Sequence, residues 1–189
     1  MGEIKSALEI ALERAEKLGK ASREEMDAEK WNEHGKRIAA SFLQGKELDI
    51  LNALSSVPSE FVRNALEGAT DVLLRNIVLP QDEMQWDGIK KAMEGLVAIK
   101  GSVASQILPQ VEQLLRNYQQ TLTQYQEQFQ QQLQARMGAM KSMGQGVGGM
   151  DQAELSNLMQ AQDEWNKLSA EIRQQFEQQL DSMKQFLRG

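Results

Sequence analysis

The chain of 189 residues has no cysteine, a single histidine and three prolines, and only 5% of it is aromatic. Without cysteine there are no disulfides, no thiolate metal sites and no thiol nucleophile. Scarce aromatics, 41% hydrophobic residues and a negative mean hydropathy favour helices with narrow apolar stripes over a bulky globule. Long hydrophobic runs are missing as well. The most apolar region, Gly95 to Leu108, is interrupted by Lys100 and falls far short of the roughly 20 residues a membrane-spanning helix needs. The first residues turn charged at once and offer no signal-peptide core, so the expected location is cytoplasmic, with no membrane association. A surplus of positive charge is also lacking. The net charge is −6 and neither half of the chain is basic, so the counterion-displacing footprint of a nucleic-acid binder is absent.

What is present is helical periodicity. Ile4, Ala7, Leu8, Ala11, Leu12, Ala15 and Leu18 recur at three- and four-residue spacing. They predict an amphipathic helix closed by Gly19. Ser22 with Glu25 forms a capping-box pair and predicts a second helix from Arg23 to about Gln44. A short helix over Glu47 to Leu54 is expected to place Leu48, Leu51 and Leu54 on one side. Pro58 and Pro80 bracket a further helix of about twenty residues, because proline fits the first helical turn. Its wide stripe of Phe61, Ala65, Leu66, Ala69, Val72, Leu73, Ile77 and Val78 is the strongest core candidate. Ile89, Met93, Leu96, Ile99, Val103 and Ile107 continue the spacing. Periodicity leaves open whether the chain breaks near Gly101 or kinks at Pro109.

From Pro109 the spacing becomes that of a coiled-coil seam: Val111, Leu115, Tyr118, Leu122, Tyr125, Phe129, Leu133, Met137 and Met140. Glutamine fills twelve positions between 106 and 134. The seam runs straight through that tract and glutamine is a good helix former, so the tract reads as a solvated helical face. A glycine-rich linker from Gly144 to Gly149 follows. Asp151 with Glu154 then starts a last helix carrying Leu155, Leu158, Met159, Trp165, Leu168, Ile172, Phe176, Leu180, Met183 and Leu187. Two segments of about 35 residues, each roughly 50 Å long, joined by so short a linker must fold back as an antiparallel hairpin.

Catalytic signatures are weak. His34 has Trp31, not a glutamate, three residues before it, so the Glu-x-x-His pairs of a di-metal bundle are absent. No G-x-S-x-G nucleophile motif occurs, and "GQGVGG" lacks the lysine of a phosphate loop. Glu24, Glu25, Asp27 and Glu29 read as acids complementing the dipole at a helix N-terminus.

The hairpin tip, residues 137–150, packs four methionines among glycines. Methionine is flexible and polarizable, suited to adaptable apolar contact. Met137, Met140, Met143, Val147 and Met150 are therefore the candidate partner contacts, against the simpler reading in which they end the seam and turn the chain.

Two passages, "MGEIKSALEIALERAEKLG" and "LPQVEQLLRNYQQTL", resemble stretches of an uncharacterised bacterial all-helical family without assigned function. The resemblance implies no activity, substrate or site.

The sequence thus predicts an all-α protein: a helical portion over residues 1–100 packed with a long antiparallel coiled-coil hairpin over 101–189. The expected function is a non-catalytic scaffold or protein-interaction protein that self-associates. The alternatives are a chaperone-like adaptor using the Met-rich tip, or an enzyme or metal protein using His34. No cofactor, catalytic residue or nucleic acid is called for, and the expected partner is a protein or a second copy.

Overall fold

A computed structural model describes residues 7–142 and 152–189, and side chains over 23–138, at 156 and over 158–189. The described residues are all-helical with no strand. Six α-helices follow in order: α1 Ala7–Leu43, α2 Ile50–Leu54, α3 Val62–Arg75, α4 Gln85–Lys100, α5 Ser102–Ser142 and α6 Gln152–Arg188. They form two compact units. One takes the chain to Ile77, Asp87–Ala104 and Arg188, and the other takes Val78–Trp86, Ser105–Leu187 and Gly189.

In the first unit, α1 is continuous where the sequence predicts two helices. A glycine inside a helix costs only about 1 kcal/mol, and Leu18, Lys20 and Ala21 around Gly19 are good helix formers, so the break does not occur. Ser22 and Glu25 consequently lie within the helix, where backbone N–H groups already have partners and no cap is needed. The acids Glu24, Glu25, Asp27 and Glu29 stand in the interior of α1 and not at its N-terminus, which corrects their reading as dipole partners.

The real stop is Gly45, with φ +73°. Its N–H bonds the Phe42 carbonyl at 3.0 Å and that of Lys46 bonds the Ser41 carbonyl at 3.0 Å, the paired closure of a Schellman motif. Asp49 then caps α2, its carboxylate accepting from the N–H groups of Leu51 and Asn52. Because α2 begins at Ile50 and not at Glu47, Ile50 and Leu54 are the buried pair. Leu48 is 84% exposed and Leu51 is exposed too, against the expected Leu48, Leu51 and Leu54 face.

Pro58 opens a 3-10 turn, Ser59–Phe61, before α3 starts at Val62. The buried face of α3 is Ala65, Gly68, Ala69, Thr70, Leu73 and Leu74, with Ile77 just beyond it; Leu66 and Val72 are half-buried. Small residues dominate because α1 and α3 cross backbone against backbone. Gly35 faces the carbonyl of Ala65, Gly68 faces that of Asn32, and the Asn32 amide donates to the Asn64 carbonyl at 3.2 Å. On α4, Ile89, Ala92, Met93 and Leu96 are buried, and Gly95 leaves room for the Leu73 and Phe42 side chains. The helix ends at Gly101, φ +57°, whose N–H bonds the Val97 carbonyl at 2.8 Å. That left-handed closure resolves the alternatives in the sequence: the chain breaks at Gly101, and Pro109 lies inside α5.

In the second unit, the segment 78–86 enters through buried Leu79 and Pro80 and reaches α4 by a reciprocal cap. Gln85 donates its backbone N–H to Asp82 Oδ1 at 3.1 Å, while its side-chain oxygen accepts from Gln81 N–H at 3.0 Å. The helix after Pro80 therefore starts at Gln85. Helices α5 and α6 are in contact as an antiparallel pair, since partner numbers on α6 fall as those on α5 rise. Tyr118 meets Phe176 edge-on at 5.4 Å, Phe129 meets Trp165 at 5.7 Å, and Arg136 pairs with Glu164 at 3.6 Å. The cap predicted at Asp151 and Glu154 involves Asp151, which lies outside the described residues.

Candidate interaction surface

His34 sits half-buried on α1 with its ring edge-on to Trp31 at 5.3 Å, and Trp31 in turn stacks on Phe61 at 6.3 Å. Lys30 covers the Trp31 ring at 5.6 Å. The histidine is thus part of an aromatic contact between α1 and the turn before α3. Among the described residues no group of three or more His, Asp or Glu is placed to hold a metal ion. Beside it, Lys36 donates to Glu33 at 2.6 Å. That hydrogen bond, with the ammonium charge, holds the Glu33 carboxyl below its ordinary range, and the same bond raises Lys36. The pair is a solvent-exposed i,i+3 contact of small energetic consequence.

A polar groove of about 450 Å³ opens in the second unit along Glu83, Arg116, Gln119, Gln120, Thr123, Gln124 and Glu127. Two of these residues, Arg116 and Gln119, contact Trp86, a residue that sequence periodicity does not single out. Trp86 is buried, donates its indole N–H to Gln119 Oε1 at 2.8 Å, and carries the Arg116 guanidinium over its ring at 4.9 Å. Arg116 is also fixed by Glu112 at 2.6 Å. With one guanidinium already paired and two carboxylates, the groove holds no net attraction for anions. Proline before it and a lone tryptophan after Asp82–Gln85 were the only sequence signals that could have pointed here.

The hairpin itself changes character along its length. Val111, Leu115 and Tyr118 are buried, as are Ile172, Leu180 and Leu187 on α6. Further out, Leu122, Phe129 and Leu133 are half-buried, Tyr125 is 43% exposed and Met137 is 42% exposed. On α6, Trp165 and Leu168 are half-buried and Met159 is 65% exposed. Counting outward from the Phe129–Trp165 contact at 1.5 Å per residue, Met137 and Met159 fall within about one helical turn of the same level. Of the predicted contacts, Met137 is therefore exposed on α5. Met140 belongs to α5, but its side chain lies outside the described residues, as do Met143, Val147 and Met150 entirely. Away from that seam, Leu114 of α5 is buried while Phe186 of α6 is 75% exposed.

Residues 51–189 match the sequence profile of a family of unknown function, DUF6657. The chain belongs to this family. The matched region contains α3 to α6 whole, including the "LPQVEQLLRNYQQTL" passage, whereas α1 and the "MGEIKSALEIALERAEKLG" passage of the sequence precede it. No curated protein and no solved structure matches the chain. No described helix is long and apolar enough to cross a membrane.

Proposed function

We propose that this DUF6657 member is a non-catalytic scaffold that binds protein through the distal part of its α5–α6 hairpin. The observation behind the reading is the loss of cover on α5, from buried Tyr118 to exposed Tyr125 and Met137, together with exposed Met159 on α6, which stands about 100° or more away from the seam residues Ala161 and Trp165, buried and half-buried. Two helices side by side bury only one stripe each, and apolar side chains beyond that stripe lose free energy to water until a third element covers them. Aromatic and methionine side chains are the kind enriched at the centres of protein interfaces. The test replaces Tyr125, Met137 and Met159 together with Gln and compares the proteins recovered from the native host by each chain. The reading expects the recovered set to be lost while the thermal midpoint stays put. Recovery of the same proteins by both chains, or a midpoint that drops as for a core substitution, rejects it.

A second reading, a chaperone-like adaptor that grips apolar segments with Met137, Met140, Met143, Val147 and Met150, has the exposure of Met137 in its favour. Methionine's adaptability suits varied partners, and the ordering entropy of such a patch keeps its affinity modest. Replacing Met140, Met143 and Met150 with Gln, leaving Tyr125 and Met159 intact, separates it from the first.

A further inference from the structure

We draw no further inference here: the strongest candidate, the polar groove of the second unit between Glu83 and residues 116–127 of α5, is lined, Gln119 apart, by exposed polar side chains continuous with the solvated glutamine face, and nothing in the structure shows what would occupy it.

Discussion

Gly35 of α1 and Ala65 of α3 meet backbone to backbone, with no room between them for a β-carbon. Gly68 repeats the arrangement against Asn32, so the crossing is notched on both helices. Gly35→Ala or Gly68→Ala must push two helix backbones apart, and either is expected to cost about 3 kcal/mol or more in urea denaturation. Gly88 and Gly138, helical glycines with open space around the missing β-carbon, provide the opposite sign. Replacing each with Ala is expected to add about 0.5–1 kcal/mol.

Thr70 is buried on α3 and its hydroxyl has no hydrogen-bond partner. Leaving a buried polar group unpaired costs about 1–3 kcal/mol. Thr70→Val keeps the shape and removes the hydroxyl, so the urea midpoint should rise with unchanged slope, by an amount equivalent to about 1 kcal/mol.

Leu73 is fully buried while Leu66, on the same helix, is half-buried. Leu73→Asp leaves an uncompensated charge against Phe42 and Gly95 and is expected to unfold the first unit at 25 °C, a loss beyond about 5 kcal/mol. Leu66→Asp keeps access to water and is expected to cost less than half as much. Equal losses measured by circular dichroism on denaturation would contradict this ordering of the stripe.

Pro109 lies in the second turn of α5 with its ring exposed. It has no N–H to donate and its ring crowds the preceding turn. Pro109→Ala is therefore expected to stabilise by about 1–2 kcal/mol after the greater freedom of the unfolded chain is allowed for, raising the melting temperature about 2–4 °C per kcal/mol.

Much of the fold was legible because it rests on period: the seam through Val111, Leu115 and Tyr118, and the α3 face through Ala65, Ala69 and Leu73, are written at helical spacing. Periodicity is insufficient where local chemistry carries two meanings. Gly19 and Ser22 resemble a stop and a start, yet a helix tolerates both in its interior. Gly45 had no apolar pattern to flag it, although it is the residue that closes α1. Leu48 and Leu51 face solvent because the cap at Asp49 starts α2 three residues later than Glu47, which leaves Ile50 and Leu54 as the buried pair. Trp86 belongs to no stripe; its place depends on Gln119 and Arg116, thirty or more residues away, and no local rule couples them. The gradual uncovering of the hairpin was equally hidden, since spacing marks which side chains share a line and not where along it water begins.

Trp165, half-buried against Phe129, is the only indole on α5 and α6, for Trp31 belongs to α1 and Trp86 opens α4. In a chain where Trp31 and Trp86 are replaced with Phe, the fluorescence of Trp165 becomes an optical gauge of the outer hairpin alone. Its emission would move to the blue as a partner excludes solvent and to the red as the two helices part, so closure and docking could be followed in real time without attaching a dye.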